Sequence, residues 1–324
     1  MSSSRRPPGG RSGPPESGRP RESGRPPART SRQSGASRQS AARHPPARGR
    51  PEPRGPRRRE RGGSDLAARI LVAVPAAIVA IIFVDVGGLA FALFMIAVGW
   101  LCMHELYRLL HRWRPVVGVG FAALAAMVLA GRYGGQHDVL LVALCAFPVI
   151  FVAVLLRGHG GMTVAVAGTL LGVYWLGFAF AHAELLRRLP HGGGVVIDVL
   201  IGTFLGDTGA YAGGRLFGRR PLAPEISPKK TVEGLFCGML TTIVAIFVAE
   251  LFQPWLTQGD ALALALAIAV LGPLGDLFES VVKRDAGTKD AGSVFGAHGG
   301  ALDRLDAVIF TIVAGYYIWS AVPH

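Results

Sequence analysis

Apolar residues recur beyond Asp65 in long blocks separated by short polar or glycine-rich breaks. A helix needs roughly 20 residues to cross about 30 Å of hydrocarbon. Nine blocks approach or reach that length: 66–84, 88–109, 116–132, 138–156, 162–185, 195–213, 234–253, 261–282 and 304–321. The third and fourth are short and bounded by glycine, which leaves their ends loosely defined. This pattern predicts an all-α polytopic membrane protein with about nine transmembrane helices. We divide it into N-terminal transmembrane helices over 65–190 and a C-terminal transmembrane region over 191–324, which holds the candidate catalytic residues.

The first 64 residues have no such pattern. They are Arg, Pro, Ser and Gly with almost no aliphatic side chain, and cannot bury enough apolar surface to offset the entropy of ordering, so 1–64 is read as a disordered tail. The basic stretch is far longer than the charged start of a signal peptide, and no short apolar segment with a cleavage site follows it.

Composition agrees with a membrane class. Half of the 324 residues are hydrophobic, only 17% are charged, and the mean hydropathy is +0.39. The formal charge of +13 belongs entirely to the tail, whose 17 Arg face four Glu; the remainder holds 17 basic and 17 acidic residues. A nucleic-acid fold is therefore not indicated. The tail arginines could touch anionic headgroups or, weakly, RNA, but a solvated segment that helps set topology is the simpler reading. Cys102, Cys145 and Cys237 lie in or beside apolar blocks without a C-x-x-C pair, so they are read as small hydrophobes rather than disulfide or zinc ligands.

Lys and Arg next to spans stay in the cytoplasm. The tail goes inside, and alternation then puts inside the loops with Arg108, Arg112 and Arg114; Arg157; Arg215 through Lys230; and Lys283 through Lys289. The 133–137 and 254–260 turns and the C-terminus fall outside and carry neither residue; Arg187 and Arg188 are the exception. The expected topology is a cell-membrane protein with its N-terminus in the cytoplasm and its C-terminus outside. Both loops rich in distinctive residues then share the cytoplasmic side.

Candidate chemistry lies in and beside those loops. Asp207 sits within the sixth block, with Thr203 and Tyr211 four residues to either side on one helix face. An intramembrane carboxylate marks a functional site by default. After it come the glycines 213, 214 and 218, Arg219 and Arg220, and then Ser227-Pro-Lys-Lys-Thr231 before the next helix. Backbone N–H groups at a helix start, Lys229 and Lys230, and the hydroxyls of Ser227 and Thr231 suit phosphate. Glu233 could instead cap that helix together with Thr231.

In the eighth block Asp276, Ser280 and Lys283 form one helical stripe. It continues through Arg284, Lys289, Asp290, His298, Asp303, Arg304 and Asp306, where several carboxylates and few soft ligands favour a hard cation such as Mg²⁺. His298 then suits a phosphate donor or proton-transfer role. His104 and Glu105, at the end of the second block, read as interfacial. No P-loop, G-x-S-x-G elbow or H-E-x-x-H helix occurs.

The segment S-V-V-K-R-D-A-G-T-K-D-A-G-S-V-F-G-A-H-G-G-A-L-D-R-L-D, Ser280 to Asp306, resembles the signature of the phosphatidate cytidylyltransferase (CDP-diglyceride synthase) family. Ile226 to Gly234, I-S-P-K-K-T-V-E-G, is similar to that family's second recurring segment, and Asp207 stands where the family has an intramembrane aspartate. Ala297 and Ala301 depart from the usual pattern without touching an ionisable position.

The resemblance implies that CTP and phosphatidic acid give CDP-diacylglycerol and pyrophosphate with Mg²⁺, in phospholipid biosynthesis. With that reaction in view, we expect metal coordination from Asp207, Asp276 and Asp303, then Asp306 and Asp290. We expect catalysis from Asp303, Asp276, Lys283, His298 and Arg304, and substrate binding from Ser227, Lys229, Lys230, Thr231, Ser280, Arg284, Lys289 and Asp290. A second, monovalent cation and a homodimer stay open. The alternatives are a CTP-dependent transferase acting on another lipid, or a transporter of a phosphorylated solute. Against the transporter, the polar clusters lie at one face and the outer halves of the helices lack matching charges.

Overall fold

In a computed structural model of the chain the described residues are 75–158, 160–288, 291–292 and 300–323. The tail assigned to 1–64, the start of the first block, and Lys289, Asp290 and His298 lie outside them. Helices dominate: α1 (Pro75–Val86), α2 (Gly88–Leu109), α3 (Val117–Tyr133), α4 (Gln136–Arg157), α5 (Met162–Gly172), α6 (Phe178–Arg188), α7 (Gly192–Phe217), α8 (Val232–Glu250), α9 (Gln258–Asp285) and α10 (Leu302–Ser320). A π-helical turn, Val173–Gly177, joins α5 to α6, so Met162–Arg188 is one continuous rod.

Each of the nine expected blocks thus meets one helical rod among the described residues. Six rods are long and apolar enough to cross a membrane, α2, α4, α5–α6, α7, α8 and α9, whereas α1 and α3 are apolar but shorter and α10 is not among the six, so six of the nine expected spans meet that measure among the described residues. Side chains such as Leu144, Leu156, Phe236 and Leu240 point outward, as a lipid-facing surface requires. The chain is a multi-pass membrane protein.

One feature was not expected. The polar stretch after α7 forms an antiparallel hairpin, β1 (Pro221–Ala223) with β2 (Ser227–Thr231), in which Pro221 opposes Thr231 and Ala223 opposes Ser227. Its base is tied down by Glu233, whose Oε2 accepts from the backbone N–H of Arg219 at 3.0 Å and of Arg220 at 3.1 Å. Thr231 is the N-cap of α8, its hydroxyl accepting from Gly234 N–H at 3.1 Å.

The hairpin is carried by the closely packed pair α7 and α8. Hydrocarbon gives helices no hydrophobic reason to associate, so small residues that let backbones approach decide the interface. Gly206 and Ala210 on α7 meet Gly234 and Gly238 on α8, and a Cβ at Gly238 would stand 2.8 Å from both the Ala210 Cβ and the Gly206 carbonyl oxygen. Gly238→Leu should therefore prise the helices apart, lowering the unfolding midpoint in detergent by several degrees and costing about 2 kcal/mol. Ala at exposed Leu240 is the control, and equal midpoints for the two variants would refute this interface.

The arginines that break the charge pattern have a structural use. Arg187 donates to the carbonyl oxygens of Val84 and Asp85, the latter at 3.1 Å, and Arg188 donates to those of Gly131 and Gly134, the latter at 2.6 Å. These are unsatisfied carbonyls at the C-terminal ends of α1 and α3, where a cation also meets the negative end of each helix dipole. The same end of the bundle buries Glu184, 3.8 Å from Arg132, and Asp198, which accepts from Gln253 Nε2 at 2.8 Å. This corrects the expectation that the outer halves lack charge. Glu184 and Asp198 each have one oxygen facing a local partner, while Glu184 Oε2 and Asp198 Oδ2 have no hydrogen-bond partner among the described residues.

Candidate active site

The opposite end of the bundle gathers the C-terminal ends of α2, α7 and α9, the hairpin, and the start of α10. α9 and α10 pack closely because Gly275 lets α10 approach: a Cβ there would lie 2.6 Å from the Asp306 carbonyl oxygen. Across this contact Asp276 and Glu279 of α9 meet Asp306 of α10, with one carboxylate oxygen from each inside 4.8 Å of the others. Glu279 and Asp306 are buried, and Asp276 is partly so. Asp207 of α7 is within Coulombic reach of both Asp276 and Asp306.

Two lysines answer this charge. Lys230, from the hairpin, pairs with Asp276 Oδ2 at 2.6 Å. Lys283 lies between Glu279 and Asp303, pairing with both and reaching Asp303 Oδ1 at 2.9 Å. Asp303 is otherwise engaged with backbone: it accepts from Gly300 N–H at 2.7 Å and from Ala291 N–H at 3.0 Å. Five carboxyl groups share two ammonium groups, and a carboxylate beside hydrocarbon is costly unless it is paired or engaged with a ligand. Glu279 Oε1, fully buried, has no hydrogen-bond partner among the described residues. Oxygen-only donors with one orphaned buried oxygen fit a hard divalent cation.

The predicted residues separate accordingly. Asp276 and Asp306 come together with Glu279, Asp207 is within Coulombic reach of them but outside that group, and Asp303 is held by Lys283 and the backbone. Ser280 sits 3.5 Å from Asp276. Arg284 braces the hairpin by donating to the Ile226 carbonyl at 3.0 Å, Lys229 is exposed on β2, and Arg304 is exposed at the start of α10. Thr203 turns away from Asp207 and bonds Thr311 at 2.9 Å, while exposed Tyr211 lies 3.5 Å from Arg215.

Two residues went unread. Glu279 is three positions after Asp276 on the same side of α9, so the stripe of Asp276, Ser280 and Lys283 already pointed to it. Glu105 is not interfacial: it is 1% exposed, and its Oε2 accepts from Leu302 N–H at 2.9 Å across 197 residues of sequence.

The profile of the cytidylyltransferase family matches residues 67–322, all but the tail. The chain belongs to this family. It is similar to the phosphatidate cytidylyltransferase of Mycobacterium bovis, 35% identical over 162 residues, which is 49% of this chain and 52% of that protein. The Bacillus subtilis enzyme of the same name is 32% identical over 266 residues, covering 78% of this chain and 97% of that one. That of Staphylococcus epidermidis is 30% identical over 258 residues, 76% and 96% of the two chains. The chain spans about half the length of the mycobacterial relatives it matches and nearly all of the Bacillus and Staphylococcus ones.

Proposed function

We propose that this cytidylyltransferase-family protein is a phosphatidate cytidylyltransferase, working at the cytoplasmic face of the cell membrane with its N-terminus inside and its C-terminus outside. The observation that carries the reading is the end of the bundle where acidic side chains of α7, α9 and α10 meet the lysines of the hairpin and α9. The length of the match to enzymes of that name supports it.

In the proposed reaction an oxygen of the phosphatidate phosphate attacks the α-phosphorus of CTP. A P–O bond forms as the bond to the β-phosphate breaks, and pyrophosphate leaves with its electron pair. The attacking phosphate is already anionic, so no covalent enzyme intermediate is required. Positioning and charge neutralisation carry the rate.

Asp276, Glu279 and Asp306, with Asp207 beside them, would hold Mg²⁺, which when bound neutralises phosphate oxygens that the carboxylates alone would repel. Lys230 stands where its ammonium can exchange the Asp276 carboxylate for a phosphate. Lys229, Arg219 and Arg220 add positive charge along the hairpin, and Glu233 holds the backbone that presents the two arginines. Lys283 fixes Glu279 and Asp303 relative to each other. Arg284, through the Ile226 carbonyl, ties the hairpin to the end of α9.

Purified full chain in detergent, given radiolabelled CTP, phosphatidic acid and Mg²⁺, should yield a chloroform-soluble labelled lipid and lose that activity with EDTA. Lys230→Ala should raise the KM for CTP by about tenfold, as expected for loss of one charge-assisted phosphate contact. Absence of labelled lipid, or equal labelling only with a polyprenyl phosphate or an ether-linked phosphatidate, would replace this reading.

A further inference from the structure

Glu105 is a buried carboxylate from the N-terminal half of the chain, and the reaction above makes no use of it. It sits near the end of α2, and Leu302 N–H donates to its Oε2 at 2.9 Å, at the first residue of α10. Two glycine backbones close over the same carboxylate: a Cβ built on Gly292 or on Gly300 would stand 2.6 Å from the Glu105 Cδ. Oε1 has no hydrogen-bond partner among the described residues. Cys102, on the same helix, lies within Coulombic reach of both Glu105 and Glu279, so this end of α2 abuts the acidic cluster.

The backbone that Glu105 touches is the backbone that holds Asp303. Ala291 N–H and Gly300 N–H both donate to the Asp303 carboxylate, and each is next in sequence to a residue pressed on or bonded to Glu105 or is itself pressed on it. Glu105 grips this stretch from α2 while Asp303 grips it from α10. Asp306 lies one turn further along α10.

We infer that Glu105 is a positioning residue for the transferase reaction, an inference that rests on the function proposed above: its carboxylate fixes the start of α10 against α2 and thereby sets where Asp303 and Asp306 stand relative to α9. A carboxylate here costs desolvation, and that cost is met only if the backbone it holds must be placed closely. A shift of about 1 Å in a positioned group can cost about 10²-fold in rate.

The test uses the full chain in detergent micelles, with the wild type assayed first. A wild type that makes no lipid nucleotide would end the transferase reading itself; the variants below bear only on Glu105. Glu105→Ala should lower kcat by about 10²-fold while the KM for CTP stays within about threefold, because the hairpin lysines are untouched. Glu105→Gln, which keeps an oxygen to accept from Leu302 N–H, should recover most of the rate. Gly300→Ala should match Glu105→Ala, since its methyl group displaces the carboxylate, and in the Glu105→Ala background it should add less than about threefold because the two act through one contact. A kcat for Glu105→Ala within threefold of wild type, or losses that multiply in the double variant, would overturn the inference. If Glu105→Ala does not fold, Glu105→Gln and Gly300→Ala decide alone, and wild-type kcat in Gly300→Ala would overturn it.

Discussion

Asp306→Asn should lower turnover by about 10³-fold, or roughly 4 kcal/mol of barrier, while leaving the protein folded and inserted. Asn has the shape of Asp and keeps an oxygen able to accept from Ala307 N–H, which now bonds Asp306 Oδ1 at 2.8 Å. What it removes is one of three negative charges whose oxygens lie within 4.8 Å of each other in a largely buried setting. Without a bound cation this charge is repulsive, so in EDTA the variant should unfold at the same temperature as wild type or a higher one. Ligand binding stabilises a protein by about 2.7 kcal/mol at a hundred times its Kd. Saturating Mg²⁺ should therefore raise the wild-type unfolding midpoint and barely move that of the variant. Glu279→Gln should behave alike in the Mg²⁺ shift. An Asp306→Asn protein that turns over within threefold of wild type, or keeps the full Mg²⁺ shift, would show that the trio does not hold the cation.

The end of the bundle that carries this chemistry was legible because its signals are local. The Asp276, Ser280 and Lys283 stripe is a property of one helix, and the order of apolar blocks brings the α7, α9 and α10 ends to one side. Glu279 lies on the same helix, three residues after Asp276 and four before Lys283, but spacing alone does not say which carboxylate a lysine takes. The structure gives Asp276 to Lys230 of the hairpin instead, a pairing across separate elements that no spacing announces. The hairpin itself was hidden by Pro221 and Pro228, which argue against strands anywhere but an edge. A two-stranded ribbon consists only of edges.

Long-range contacts explain the other differences. Glu105 looked like a polar residue at a membrane boundary because the backbone it holds lies almost two hundred residues later. The sixth block begins at 195, whereas α7 starts three residues earlier at Gly192, and Gly194 there packs so closely on the Trp255 ring that a Cβ would stand 2.6 Å from it. Arg187 and Arg188 contradicted the charge rule because that rule treats arginines as solvated charges. Here both are consumed by the carbonyl ends of α1 and α3.

Lys283→Met should be the most damaging single change at the site for folding. The Lys283 side chain is 14% exposed and pairs with two carboxylates, of which Glu279 is fully buried. Removing one partner of such a group leaves charge uncompensated, at about 3–5 kcal/mol, comparable with much of a domain's net stability. The folded yield in detergent should collapse. Lys283→Met combined with Glu279→Gln removes the buried charge together with its partner, and should restore folding while leaving activity at background, because the cation trio is then incomplete. That contrast separates the two duties of the lysine. If the double variant folds no better than Lys283→Met, the stabilising pair is not with Glu279. If the single variant folds and turns over normally, Lys283 holds neither the helices nor the charges in place.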